Sequence, residues 1–382
     1  MLFKQYTDKK NPVSLCISSF SHGAVSEYHV MLQITDCSLT YQQQLSAVLA
    51  AYDSMVETDL NGAVTVMKRF FLSDAANQSD LLWASVMENS DCAVSVVEQP
   101  PLDGSKIAMW ACLQTNVMTQ VLSGGLYMVQ HDAYCHYWLG TSVNRALNSE
   151  YQTKLLLNDY VMRLAEQGMS LANNCIRTWF FVQNVDVNYT GVVKGRNEVF
   201  ASQNLTEHTH YIASTGIAGR HADPKVTVQM DAYAVKGLQT EQIQFLYAPE
   251  YLNPTYEYGV SFERGTCVKY GDRRHVFISG TASINNKGEI MYQGDIERQT
   301  QRMWDNVQAL LEEAECSFED VAHMIVYLRD MADYKTVKGL YSLRFPHIPT
   351  IFVWAPVCRP GWLIEMECMA MRKDDNPQWQ AF

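Results

Sequence analysis

The chain has 382 residues, 47% of them hydrophobic and 18% charged, with a formal net charge of −12. This is too long for one ordinary domain and suits two or three, with the composition of a folded globular protein rather than a disordered one. The acidic balance, with no basic run, argues against a nucleic-acid footprint, and an anionic substrate would need a local arginine pocket.

In chain order, residues 41–57 (YQQQLSAVLAAYDSMVE) read as an amphipathic helix, followed by the apolar run MKRFFL ahead of Asp74 and by a final strand, KIAMWACLQ, at 106–114. Around Tyr134 and Tyr137 the pattern is that of a half-buried strand. His131, Asp132, Cys135 and His136 there also suggest a metal, the less favoured alternative. Leu139-Gly140-Thr141-Ser142 follows, then MSLANNCIRTWFFVQ at 169–183, in which Arg177 closes the strand TWFFV. A short helix carrying Gly195-Arg196 and a strand VQMDAYAV at 228–235 come next. The last stretch has a strand HVFISGTASI, an Asn/Gly turn in INNKGEI, and a helix over 297–313 that is apolar at Met303, Val307, Leu310 and Leu311. It ends with HMIVYL, a short helix near Tyr334 to Arg344, a Pro-marked loop and the strand WLIEMECMAM.

These stretches repeat. A shift of 256 lays 297–313 on 41–57 and Asp330 on Asp74, and a shift of 257 lays LIEMECMAM (363–371) on KIAMWACLQ. A middle copy aligns at shifts of 147 and 136. A repeated unit of strand or hairpin, long helix, strand, short helix and long final strand predicts an α+β fold, a mixed sheet with helices on one face, written three times. The expected units are 1–118, 119–238 and 239–382, closing as a pseudo-three-fold ring that buries its sheet edges.

Ten cysteines without a CxxC pair or zinc-like spacing, and a polar start without a secretory signal, point to reducing cytoplasm and to no metal or other cofactor. No apolar run reaches the roughly 18 residues that would span a membrane.

Three segments carry a family resemblance: FISGTASI at 277–284, Gly294-Asp295 with Gln299, and the Glu-bearing terminal strand are similar to the YjgF/RidA fold, known also as endoribonuclease L-PSP-like, which forms trimers with active-site clefts between subunits. Over residues 170–372 the chain more closely resembles the chorismatases, which cleave the enolpyruvyl group from chorismate. That pattern stands here as Arg177-Thr178-Trp179, Tyr189 with Gly195-Arg196, Ser214-Thr215-Gly216-Ile217, Ser261-Phe262 with Arg264, and Cys358-Arg359-Pro360 ahead of Glu365. The chain departs from it at Thr190, Val192 and Val193, where the family has a second arginine, Phe and Asn. In RidA imine hydrolysis a carboxylate-binding arginine is implied near Ile351, which this chain lacks.

On a strand, residues two apart share a face, so Glu365 and Glu367 point the same way. Two such carboxyls resist losing both protons, which suits Glu365 to donate a proton to an enol ether, while Glu367 contacts substrate. The resemblance implies Cys358 as a second catalytic residue, of the branch that makes 3-hydroxybenzoate, where a thiol beside Arg359 is partly ionised. It implies Arg196 and Arg264 as carboxylate binders, Tyr189 and Tyr211 as pocket lining with Trp354 beside them, and Thr215-Gly216 as backbone donors to an anion. The other copies carry Ala108 and Trp110, or Gln229 and Asp231, in place of the glutamates, so one cleft of three, between copies two and three, is expected to be equipped. The reading is a chorismatase-like enzyme for chorismate or a related cyclic carboxylate, releasing pyruvate. The alternatives are a non-catalytic small-molecule binder and a divergent imine or enamine deaminase, with the oligomeric state open.

Overall fold

A computed structural model describes residues 1–86 and 91–382. The first unit runs β1 (Leu2–Thr7), β2 (Val13–Ser21), β3 (Ser26–Ile34), α1 (Tyr41–Thr58), β4 (Ala63–Leu72), α2 (Ala75–Val86), β5 (Ala93–Glu98) and β6 (Ile107–Thr115). The second runs β7 (Met118–Val121), β8 (Leu126–His131), β9 (Tyr134–Val143), α3 (Ser149–Glu166), α4 (Leu171–Asn174), β10 (Cys175–Val182), α5 (Val185–Ser202), β11 (Ala213–Ala218) and β12 (Val228–Lys236). The third runs β13 (Ile243–Leu246), β14 (Gly265–Lys269), β15 (Arg273–Ala282), α6 (Ile296–Glu313), β16 (Val321–Leu328), α7 (Tyr334–Arg344), β17 (Thr350–Trp354) and β18 (Ile364–Lys373).

Each unit builds one six-stranded sheet, and the strand order is the same in all three: β1-β2-β3-β6-β4-β5, β7-β8-β9-β12-β10-β11 and β13-β14-β15-β18-β16-β17. Only the last pair of each sheet is parallel, bridged by α2, α5 and α7 respectively. The helix carrying Gly195-Arg196 is not the short one expected: α5 has 18 residues, as many as α3. The threefold α+β organisation read from the repeats is therefore the organisation of the molecule. The long helices start where the sequence supplies caps: Thr40 with Gln43 for α1, Asn148 for α3 and Asp295 for α6. The apolar stripe of α6, Met303, Val307, Leu310 and Leu311, is fully buried, as its spacing requires.

The units close into a ring through polar contacts at each seam. Between the first and second, Val96 N–H donates to Thr141 Oγ1 (2.9 Å). Between the second and third, Ser214 N–H donates to Ser279 Oγ and Gly280 N–H to Thr215 Oγ1, both at 2.9 Å. Between the third and first, Ser18 Oγ donates to the Ala322 carbonyl (2.7 Å).

Deeper in, a buried ion pair crosses each seam, and a longer second one, Arg69 to Glu367 at 3.7 Å, joins the first and third units. Arg69 meets Asp231 at 2.9 Å, both wholly buried; Arg177 meets Glu367 at 2.9 Å; and Arg273 meets Glu27 at 2.8 Å, with His275 on the same carboxylate. Burial pushes Glu27 up, but His275 and Arg273 outweigh it and hold the carboxyl below its ordinary value. Arg177 does more than close its strand, since it is a seam cation. His131 and His136 face each other at 2.8 Å and His136 bonds the Tyr233 hydroxyl at 2.7 Å. No group of three or more metal-type side chains gathers there or elsewhere among the described residues.

Removing one partner of such a pair strands a charge in the interior, at a cost of roughly 3–5 kcal/mol. Arg69→Met is expected to destabilise by about that amount in urea titration, and adding Asp231→Leu should recover part of the loss; additive losses would mean that the pair carries no coupling.

Candidate active site between the second and third units

Glu365 opens β18, opposite Ala282 of β15 and Tyr327 of β16. The β15–β18 register slips between Ile278 and Thr281, a bulge that contains Gly280. A Cβ on Gly280 would collide with the Glu365 carboxyl, so glycine is needed for the close approach of strand and side chain. The β9–β12 ladder slips at the matching place, beside Gly140, whereas β3 and β6 pair without a break.

Around Glu365 lies a cavity lined by Tyr189, Arg196, Ser214, Gly216, Arg264 and Cys358, all from motifs singled out in the sequence. Tyr258, Phe262, Arg359 and Trp362 also stand in the wall. The cavity is small, about 30 Å³, room for one or two waters. The Tyr189 ring lies against Gly216, where a Cβ would stand 2.7 Å from Tyr189 Cε2.

Glu365 is 4% exposed and has no hydrogen-bond or ion-pair partner among the described residues. Burial first, and then the neighbouring Glu367 charge, push its carboxyl up to about 8 against the pull of Arg177 and Arg264. Arg196 donates through Nε to Ser261 Oγ (3.3 Å) and keeps a buried Nη2 without partner; Arg264 donates through Nη2 to the Asn253 carbonyl (2.9 Å) and keeps a buried Nε without partner. Neither guanidinium has a carboxylate partner among the described residues. Two buried cations with N–H groups to spare beside a protonated carboxyl make an anion site with an internal proton donor.

Other expected residues stand elsewhere. Glu367 shares the face of Glu365 but lies outside this cavity, bonded by Arg177 and by Trp179 Nε1 (2.8 Å) on the ring axis. Thr215 Oγ1 is taken up by Arg177 (2.5 Å) and Gly280 N–H, so its side chain binds the seam together. Tyr211 lines a neighbouring chamber that shares Phe262 and Arg264 with the cavity. Trp354 lines a third space, with Glu98, Arg220 and Pro356. The ionised thiol expected at Cys358 is corrected: burial, with Glu365 close by, pushes it up to about 12, so it is protonated at neutral pH.

Sequence reasoning did not place Arg359, Tyr258 or Trp362 in the wall. Arg359 stacks on the rings of Tyr258 and Trp362 at 5.0 and 5.4 Å. Its signal was its place beside Cys358. Thr190, at the position of the missing arginine, is exposed and does not line the cavity. At the matching positions in the other clefts, Ala108 and Gln229 are buried, and Ile351 is fully buried on β17.

Comparison with known proteins agrees with this fold. The family model for endoribonuclease L-PSP matches residues 266–372. A RutC family protein of Pyrococcus abyssi is 35% identical over 108 residues, 28% of this chain and 84% of that protein. The 3-aminoacrylate deaminase RutC of Acinetobacter baylyi is 29% identical over 97 residues, 25% of this chain and 77% of that protein. Among solved structures, a chorismatase superposes with a TM-score of 0.66 at 18% identity, covering 82% of this chain and 95% of that one, a likeness of fold. Through its third unit the chain belongs to the RutC, or endoribonuclease L-PSP, family, and it carries that unit within a chorismatase fold.

Proposed function

We propose that the protein is a chorismatase-like enzyme that cleaves the enolpyruvyl ether of chorismate or a related cyclic carboxylate and releases pyruvate. The observation that carries this reading is the buried Glu365, without a partner among the described residues, in one cavity with the spare N–H groups of Arg196 and Arg264; burial and the Glu367 charge favour its protonated form.

The two guanidiniums hold carboxylate, and the Glu365 proton passes to the terminal methylene of the enol ether. The oxocarbenium ion that forms is trapped by water, the hemiketal loses the ring alcohol and leaves pyruvate, and the proton released by the water returns to Glu365. The anionic carboxylate left on Glu365 faces the cation it has just created, which stabilises it. Cys358 contributes shape and a weak S–H donor rather than a thiolate. Imine hydrolysis is the weaker reading, because Ile351, where the resemblance to RidA implies a carboxylate-binding arginine, is buried core.

Incubation with chorismate, followed by lactate dehydrogenase-coupled detection, should show pyruvate, and Glu365→Gln should lower the rate at least about 100-fold. No pyruvate above that variant would sink the proposal. Because the acid form works, the rate should fall as pH rises through about 8.

The same shift has a stability consequence. A carboxyl raised from 4.5 to about 8 on folding adds no cost below pH 4.5 and costs progressively more up to pH 8. Glu365→Gln should therefore be more stable than the parent by roughly 4–5 kcal/mol at pH 8.5 and nearly equal to it at pH 4.5, measured by urea unfolding at both values.

A further inference from the structure

The cavity around Glu365 and the chamber beside it differ more than tenfold in size, about 30 against about 410 Å³. A single benzene ring occupies an apolar cavity of about 150 Å³. The inner cavity accommodates a carboxylate or another small end group. The chamber accommodates a whole ring.

Its lining is suited to a ring. Tyr211, Tyr247, Tyr256 and Phe262 present aromatic surface, and Phe262 and Arg264 belong to the walls of both spaces. Two carboxyls line it that the proposed reaction does not use, the exposed Glu207 and the buried Glu263. The one set deep among the rings is Glu263. It is 6% exposed, and its backbone is fixed by a bridge to Ala213 and by Ser279 Oγ donating to its carbonyl at 2.6 Å. One carboxyl oxygen accepts the Tyr211 N–H at 2.7 Å, and the other makes no hydrogen bond among the described residues. Burial pushes this carboxyl above its ordinary value against the Tyr211 N–H. A buried carboxyl with one oxygen open to an aromatic chamber is matched by a ligand hydroxyl, because leaving such a group unmet costs more than the bond itself returns.

Resting on the reading of Glu365 given above, we propose that the outer chamber is the ring subsite. It takes a hydroxylated six-membered ring whose hydroxyl bonds Glu263, while the enol-ether end points toward the inner cavity at Phe262 and Arg264, the wall that the two spaces share. Glu263 then sets specificity, discriminating hydroxylated rings from bare ones, and Tyr256 supplies stacking surface.

Calorimetric titration of the full chain with 3-hydroxybenzoate and benzoate tests this without turnover. The parent should bind 3-hydroxybenzoate about tenfold more tightly than benzoate. Glu263→Gln keeps the shape of the side chain but presents a fixed amide; together with Glu263→Ala it should remove most of that preference while leaving benzoate affinity within about twofold. Equal binding of the two probes by the parent, or equal loss of both in the Glu263 variants, overturns the subsite. Should the Glu263 variants fail to fold, Tyr256→Ala, at a 45% exposed position, serves instead. It should weaken both probes about fivefold, and unchanged affinities overturn the proposal. If discrimination holds while chorismate yields no pyruvate, the catalytic reading fails and the subsite stands; if pyruvate forms with KM unchanged in Glu263→Ala and Tyr256→Ala, the reverse is true.

Discussion

A single buried guanidinium, that of Arg69, holds the centre of this molecule. It pairs with Asp231 of the second unit, lies 3.7 Å from Glu367 of the third, and faces the rings of Trp110, Trp179 and Phe181 at 5.6, 4.8 and 5.1 Å. A charge in such a place is tolerated only when its partners are fixed, and here the partners come from all three units. The sheets can therefore meet in one arrangement, and that arrangement sets the seam on which Glu365 stands. Apolar packing supplies most of the driving force for closure, while the ion pairs select which closed state forms.

The site inherits its chemistry from this arrangement. Glu365 and Glu367 are two residues apart on one face of β18, yet they have separate environments. Glu367 is held by Arg177 and Trp179 on the axis, whereas Glu365 faces a cavity without a partner. The charge of the first adds to the burial of the second, and the result is a carboxyl that keeps its proton near neutrality. The bulge at Gly280 completes the effect, since it lets the neighbouring strand close over the carboxyl.

Much of this was legible in the sequence because repetition is a long-range signal. The shared spacing of the α1 and α6 helices and of the final strands gave the three-unit fold, and strand alternation gave the common face of Glu365 and Glu367. The axis was not legible. Arg69 sits in MKRFFL and Asp231 in VQMDAYAV, and a charge inside so apolar a run is the mark of a buried pair, but the two stand 162 residues apart and nothing local joins them. Arg177 was read as a strand end for the same reason. Cys358 was read from its neighbour Arg359, while its ionisation is decided by burial, a property of the closed seam. Tyr258 and Trp362 have no periodic signature, because loops bring them to the cavity.

Three equivalent positions at the axis are Trp110, Asp231 and Glu367, each on the central strand that comes last in the chain order of its unit. In an assembly of identical subunits, whatever stood at that position would face two copies of itself: three carboxylates would repel, and three indoles would overfill the space. Joining the units into one polypeptide removes that symmetry constraint, and two bases (Arg69, Arg177), two acids (Asp231, Glu367) and two indoles (Trp110, Trp179) share the centre as no exact trimer would allow. The covalent linkage is thus a condition for the polarity of the interior, and through Glu367 for the proton affinity of the one glutamate that faces the cleft.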